Sequence, residues 1–249
     1  MMKTKRFESR VALVTGAAAG IGKATAERLA AEGARLVIAD YNYPEAERLA
    51  EQLNREGAPA FALRFDASET ESCREIVART IERYGTIDIL VNNVGGSDLS
   101  RDLDLLNMDL GYFDEVFHLN LRSVMATTQA ALSEMTLRNR GSIVNTASIG
   151  GLLGDFRGTL YGAAKAGVIG LTPASTRSLP ENVRSVFRKY NAVDYLGQAA
   201  DIAATIAFLA SDDAHYVTGQ TITADGGMDS HNPTVAELAG LSETALREA

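Results

Sequence analysis

A doubly wound α/β fold, a parallel sheet covered by helices on both faces, is predicted by three features of this 249-residue sequence. Short runs rich in Val, Ile and Leu alternate with longer amphipathic stretches, as strand–helix–strand units require. A glycine-rich turn joins the first run to the first amphipathic stretch. No repeat, low-complexity tract or linker interrupts the order, so residues 1–249 are expected to form a single domain with a tail at 228–249.

The predicted strands are Val11–Thr15, Leu36–Asp40, Ala60–Asp66, Ile87–Asn92, Ser142–Thr146 and Thr221–Ala224, each apolar enough to be buried on both faces. The helical patterns between and after them are Ile21–Glu32, Pro44–Glu56, Glu69–Tyr84, Phe113–Arg138 and Ala199–Ala210. Pro44 suits an early helical position, and Gly33 and Gly57 follow two helix ends as C-terminal caps. The stretch Leu171–Leu196 breaks the rhythm. It holds Pro173 and Pro180, and its best strand candidate, Val183–Phe187, carries Arg184 and Ser185 at its centre.

Composition narrows the partners. Acidic residues outnumber basic ones 32 to 24, and a formal charge of −8 argues against nucleic acid, whose phosphates need a basic face. No apolar run approaches the roughly 20 residues that span a bilayer, so no membrane partner is expected. The basic segment Met1–Arg10 lacks the apolar stretch of a signal peptide. Cys73 stands alone in an amphipathic pattern, so it is expected to be a structural thiol in a reducing compartment. A cytoplasmic location is expected on these grounds. His118, His215 and His231 are scattered with no ligand spacing, and no metal is expected.

The turn Thr15-Gly16-Ala17-Ala18-Ala19-Gly20-Ile21-Gly22 ends one strand and opens a helix. Glycines at 16, 20 and 22 let the chain turn tightly and bring backbone amides against a pyrophosphate at a helix N-terminus, with Ala19 and Ile21 beside them. Asp40, 18 positions after Gly22, ends the second strand, where a carboxylate hydrogen-bonds ribose hydroxyls and repels a 2′-phosphate. Tyr41, Asn42 and Tyr43 come next, with no adjoining Arg or Lys. NAD is therefore expected over NADP, Lys23 being the one nearby cation. Asp66 and Ala67 end the third strand near the expected adenine. Asn92-Asn93-Val94-Gly95 ends the fourth, with Gly95 permitting backbone approach to the second ribose.

Tyr161 and Lys165 are four apart on a helical stretch and share one face. A free tyrosine, with a pKa near ~10, is a poor base; a neighbouring ammonium stabilises its phenolate and fits the pair for moving a proton to a carbonyl or from an alcohol. Ser148 directly succeeds the fifth strand, at the edge where parallel sheets bind ligands, and its hydroxyl could bond the reacting oxygen. Asn120 lies inside a helix, where asparagine is a mediocre residue, and could hold a water that carries protons to and from Lys165.

With these motifs in this order and spacing, the chain resembles the short-chain dehydrogenase/reductase family over almost its whole length. The resemblance implies a Rossmann fold with Tyr161 as general acid/base and Lys165 also holding the nicotinamide ribose. It further implies that Ser148 polarises the substrate oxygen and Asn120 organises a proton relay. It implies a homotetramer or homodimer, packed through the Phe113–Arg138 helix and the Tyr161 helix.

The chain departs from the family after Thr172. Family members continue the Tyr–Lys helix and then form a sixth strand ending near the nicotinamide, whereas this chain passes from Gly170-Leu171-Thr172 to Pro173. About twenty to thirty residues are wanting, enough for half a helix and a strand. The sixth-strand region is thus expected to be missing or altered. The leading expectation is a nicotinamide-dependent oxidoreductase acting on a secondary alcohol or ketone. Its pocket would be walled by apolar residues after strands four and five: Leu99, Ile149, Leu152, Leu153 and Phe156, with Arg157 the one candidate clamp for an anion. The alternative is a non-catalytic or impaired NAD-binding protein of the same fold.

Overall fold

The computed structural model describes residues 5–153, 157–171, 195 and 197–227. Five parallel strands stand in the order β3-β2-β1-β4-β5: β1 (Val11–Thr15), β2 (Arg35–Asp40), β3 (Ala60–Arg64), β4 (Ile89–Asn92) and β5 (Ser142–Asn145). The order reverses beside β1, because the chain winds outward through β2 and β3 and then returns to place β4 on the other side of β1. That reversal opens a crevice at the carboxyl ends of β1 and β4, where such sheets bind ligands.

The helices are α1 (Gly20–Ala31), α2 (Tyr43–Arg55), α3 (Thr70–Tyr84), α4 (Phe113–Phe117), α5 (Ser123–Leu137), α6 (Thr159–Ile169) and α7 (Ala199–Leu209). Strand residues alternate between two cores. Ala12, Val14, Leu36, Ile38, Ile89 and Val91 pack with Leu29 of α1, Leu53 of α2 and Ile206 of α7. Leu13, Val37, Leu63 and Leu90 face the opposite way, onto Ile76 and Val77 of α3 and Ala131 and Met135 of α5. Period-two alternation with both faces covered explains why β1 is buried throughout. Cys73 belongs to the second core, where burial and the charge of Asp66 push its thiol up to about 11, as an inert structural cysteine requires.

Three sequence expectations change. The pattern Phe113–Arg138 forms α4 and α5 joined by a π-helical turn, His118–Arg122, rather than one uniform helix. Residues 221–224, expected as a strand, form none: Thr221, Ile222 and Thr223 are exposed. A strand exists only against a hydrogen-bonding neighbour. Among the described residues the sheet ends at β5, so the apolar pattern of 221–224 has no ladder to join. Helix α6 ends at Ile169, with Gly170 as its C-cap, a turn short of Thr172. The candidate Val183–Phe187 and the tail segment Val235–Leu246 lie outside the described residues. Beside β5, a cavity of about 420 Å³ lined by Met125, Leu132, Asn145 and Leu171 opens between α5 and the end of α6.

The start of the chain is tied to its later part by charge. Arg6 donates to both carboxylate oxygens of Glu32 (2.5 and 3.0 Å) and to Asp213 (3.2 Å), Arg28 donates to Glu32 at 2.5 Å, and Arg10 pairs with Asp212. Burial acts to raise the Glu32 carboxyl, but the hydrogen bonds from Arg6 and Arg28 outweigh it and hold the group below the ordinary carboxylate range. A depressed folded-state pKa contributes stability that is complete above the unfolded value and is lost as pH falls through the folded one. Urea midpoints should therefore fall between about pH 5 and pH 3 more steeply in the parent than in Glu32→Gln; equal slopes would show that Glu32 is not linked to folding.

Candidate active site

The glycine loop is stitched to the strands beside it. Gly16 donates its N–H to the Ala39 carbonyl (2.8 Å). Thr15 Oγ1 accepts from the Asn93 N–H at 3.0 Å, and Asn93 Nδ2 donates to the carbonyls of Thr15 and Gly16, both at 3.2 Å. Gly16 and Gly20 take φ of +62° and +56°, which favour glycine. A Cβ on Gly22 would stand 2.1 Å from the Gly16 carbonyl oxygen, so only glycine lets α1 come this close to the turn. Ala19 is the N-cap of α1 and makes no side-chain capping bond; its own exposure and that of Gly20 put the first amides of α1 at the rim of the crevice. A close-approach cradle ahead of a helix start without a side-chain cap fits a pyrophosphate.

Asp40 ends β2 with both oxygens engaged: Oδ2 accepts from the Ala18 N–H and Oδ1 from the Asn42 N–H, each at 2.9 Å. The carboxylate is thereby fixed against the glycine loop. Tyr41 is exposed and lies under the Arg64 guanidinium, 4.9 Å from its ring centroid. Arg64 stands opposite Asp40 in the β2–β3 register, a proximity hidden by 24 residues of sequence. The cation named from the sequence, Lys23, instead faces Glu27 at 4.0 Å on α1. Asp66 Oδ1 accepts from Ser68 N–H and Oγ (3.0 and 2.6 Å), and Ala67 is buried beneath the rim.

At the other end of the crevice, Asn92 is turned inward. Its amide donates to Thr128 Oγ1 (3.1 Å) and Asn145 Oδ1 (2.8 Å), and its Oδ1 accepts from Thr127 (2.7 Å), so the side chain fastens β4 to β5 and α5. Val94 packs against Gly16. A Cβ on Gly95 would lie 2.7 Å from Lys165 Nζ and 2.8 Å from Asn120 Oδ1, so the chain passes directly over both groups only because position 95 carries no side chain. Asn120 sits in the π-helical turn, fully buried. Its Oδ1 accepts from Gly96 N–H (2.9 Å), and its Nδ2 donates to the carbonyls of Gly96 and Val116, both at 2.8 Å. The side chain thus holds the backbone after Gly95. π-helical turns of this kind recur at functional sites.

Lys165 is 1% exposed, and its Nζ donates to the Thr146 carbonyl (2.8 Å). The same ammonium lies 5.8 Å from the Tyr161 ring centroid. Ser148 ends the segment after β5, and its Oγ accepts from Gly150 N–H (3.2 Å), starting a short 3₁₀ turn, Ile149–Gly151. That turn lies flat on α6: a Cβ at Gly162 would meet the Gly150 carbonyl oxygen at 2.7 Å, and one at Gly151 would meet Ala166 N at the same distance. The turn that follows Ser148 is thereby seated on the helix that carries Tyr161 and Lys165. Leu99, Leu152 and Leu153 are exposed beside them, and Arg157 donates to the Leu99 carbonyl (3.2 Å).

Fold and crevice together define a parallel α/β protein with a glycine-rich turn at its strand reversal. The chain belongs to the short-chain dehydrogenase family, whose model, described as short chain dehydrogenase, matches residues 10–187; a second, described as enoyl-(acyl carrier protein) reductase, matches residues 172–229. A nicotinamide cofactor and oxidoreductase chemistry come with that membership. Among its relatives is the 7α-hydroxysteroid dehydrogenase of Bacteroides fragilis, 45% identical over 254 residues, covering 92% of this chain and 98% of that one. The 3-oxoacyl-acyl-carrier-protein reductase FabG of Thermotoga maritima is 35% identical over 248 residues, covering 90% and 99%. The crystal structure of levodione reductase superposes with a TM-score of 0.82 at 31% identity, covering 90% of this chain and 99% of that one. An alignment of 254 positions that takes in 92% of a 249-residue chain leaves about 25 positions of the B. fragilis enzyme with nothing opposite them here. That number matches the shortfall read from the sequence.

Gly22→Ala should weaken nicotinamide-cofactor binding at least about tenfold, a loss of about 1.4 kcal/mol, because the new methyl must push the glycine turn away from α1. Fluorescence titration with NADH measures this, and unchanged affinity would mean that the cradle is not where the pyrophosphate binds.

Proposed function

We propose that this chain is an NAD(H)-dependent dehydrogenase/reductase interconverting a secondary alcohol and its ketone, with Tyr161 as general acid/base. The observation that carries this is the buried Lys165 ammonium, one helical turn beyond Tyr161 and fixed by the Thr146 carbonyl. A cation held there stabilises negative charge developing on the Tyr161 oxygen as the proton leaves. In the oxidising direction the phenolate of Tyr161 takes the hydroxyl proton of the alcohol; in the reducing direction the phenol returns it to the carbonyl oxygen. Ser148 Oγ would donate a hydrogen bond to the same oxygen and orient it toward Tyr161. Asn120 would hold Gly95 and Gly96 over Lys165 and so keep the ammonium in place. The cofactor supplies the hydride exchange with the substrate carbon.

Gly16, Ala19, Gly20, Ile21 and Gly22 would hold the pyrophosphate. Asp40 and Tyr41 would take the adenosine ribose, Asp66 and Ala67 the adenine, Asn93, Val94 and Gly95 the second ribose, and Lys165 that ribose's hydroxyls. Asp40 supports NAD over NADP: its carboxylate is held by two backbone amides, in place to repel a 2′-phosphate. Apolar walls at Leu99, Ile149, Leu152 and Leu153 suit a neutral, hydrophobic substrate. The 45% identity to a 7α-hydroxysteroid dehydrogenase makes hydroxysteroids the first class to try. Exposed apolar residues Phe113, Met125 and Leu132 on α4 and α5 support a homotetramer or homodimer packed through those helices. The buried single thiol suits the cytoplasm. That the relatives are named as dehydrogenases and reductases favours an enzyme over a non-catalytic cofactor-binding protein.

With a panel of hydroxysteroids and smaller secondary alcohols, Tyr161→Phe should lose at least about a thousandfold in turnover while binding NADH within about twofold of the parent. Full activity in that variant would remove Tyr161 from the chemistry. Asp40→Ser should raise kcat/KM with NADP at least about tenfold, since it removes the repelling carboxylate and leaves Arg64 as the nearest charge opposite that position. An unaltered NAD/NADP ratio would show that Asp40 does not set the preference.

A further inference from the structure

Asp102 lies in the long segment between β4 and α4, is fully buried, and no motif accounts for it. A carboxylate without solvent must be matched by donors or it is strongly destabilising. Here the donors are backbone amides of the first turn of α6: Oδ1 accepts from Leu160 N–H (2.8 Å) and Oδ2 from Tyr161 N–H (2.9 Å). Helix α6 makes no side-chain cap of its own, because its N-cap is Gly158 at φ +80°. The cap comes instead from 58 residues earlier in the chain, and a carboxylate at this end also matches the positive pole of the helix.

The contact runs on past the carboxylate. The Asp102 carbonyl accepts from Gly158 N–H (2.8 Å), and the Leu103 carbonyl accepts from Thr159 Oγ1 (2.9 Å). The segment's outer side is held as well: Asp98 N–H donates to the Tyr112 hydroxyl (2.9 Å), and Arg101 stacks 4.0 Å above the Tyr112 ring while pairing with Asp109 and Glu115. Residues 98–103, which carry the pocket wall at Leu99, and residues 157–161, which carry Tyr161, are therefore joined through backbone and side-chain hydrogen bonds.

We propose that Asp102 is a positioning residue for the reaction: by gripping the backbone of Tyr161 and its neighbour, it sets the distance from the phenol to a substrate oxygen resting against the Leu99 wall. This rests on Tyr161 being the general acid/base. Because Asp102 acts on the reacting end of the crevice and touches none of the adenosine or pyrophosphate residues, its effect falls on turnover and not on cofactor affinity. Errors of about 1 Å in placing reacting groups cost on the order of a hundredfold in rate.

Asp102→Asn is nearly isosteric but turns one acceptor oxygen into an amide donor facing a helix N–H. Per NADH-binding site, its kcat should fall about tenfold to a hundredfold, with NADH affinity within about twofold of the parent. A purely structural role would lower the melting temperature and the fraction of binding-competent protein yet leave kcat per site intact, and that result would overturn the proposal. Should Asp102→Asn bind no NADH, Thr159→Val carries the test. It removes only the hydroxyl bond to Leu103, and kcat should fall about threefold with NADH binding retained; an unchanged kcat overturns the proposal. Parallel assay of Tyr161→Phe separates the two levels. A fully active Tyr161→Phe, or a parent without turnover on the panel, removes the function and the proposal together. An inactive Tyr161→Phe beside a fully active Asp102→Asn removes the proposal alone.

Discussion

The burial of the Lys165 ammonium is the constraint around which this end of the molecule is arranged. An ammonium at 1% exposure costs several kcal/mol unless its donors are met, and one donor is met by the Thr146 carbonyl at the end of β5. To close over it, the chain after β4 must pass within contact distance, which position 95 allows only as glycine. To stay there, that backbone must be held, and Asn120 holds it through both Gly96 amide groups. Asn120 in turn lies in the π-helical turn His118–Arg122, at the break between α4 and α5. A buried charge on α6 is thus linked to the conformation of three other segments.

The two ends of the crevice are built differently. The glycine-turn end is tied to the ends of neighbouring strands, by backbone from Gly16 to Ala39 and by side chain from Asn93 to Thr15 and Gly16 and from Asp40 to Ala18. The reacting end rests on side chains reaching across from other segments: Asp102 to α6, Asn120 to the loop after β4, and Asn92 to Asn145 and Thr127. Backbone pairing within a parallel sheet tolerates many sequences, whereas buried polar networks tolerate few substitutions because each unmet partner costs about 1–3 kcal/mol.

This difference also explains what could be read from the sequence. Strands β1 to β5 and the glycine turn were legible because apolar alternation and glycine spacing are local signals. Tyr161 and Lys165 were legible because four residues make one helical turn. Arg64 beside Asp40 was not, since it depends on the β2–β3 register, and neither was Asp102, whose partners lie 58 and 59 residues away. The inward turn of the Asn92 side chain was equally hidden: a polar residue at a strand's carboxyl end carries the same signal whether it faces a ligand or a neighbouring strand. The pattern at 221–224 misled for the opposite reason, because alternation records a capacity to pair and not the presence of a partner.

The two ends also rest on different stretches of the chain. Among the described residues, the hydrogen bonds that hold the glycine turn and Asp40 lie within residues 15–94. Among the described residues, Lys165 Nζ is held by the Thr146 carbonyl, Ser148 Oγ by the Gly150 N–H, and Asn120 by Gly96 and Val116. The glycine turn thus depends on β1, β2 and β4, and the buried ammonium on β5, α6 and the π-helical turn, so a substitution at one end is expected to leave the hydrogen bonds of the other intact.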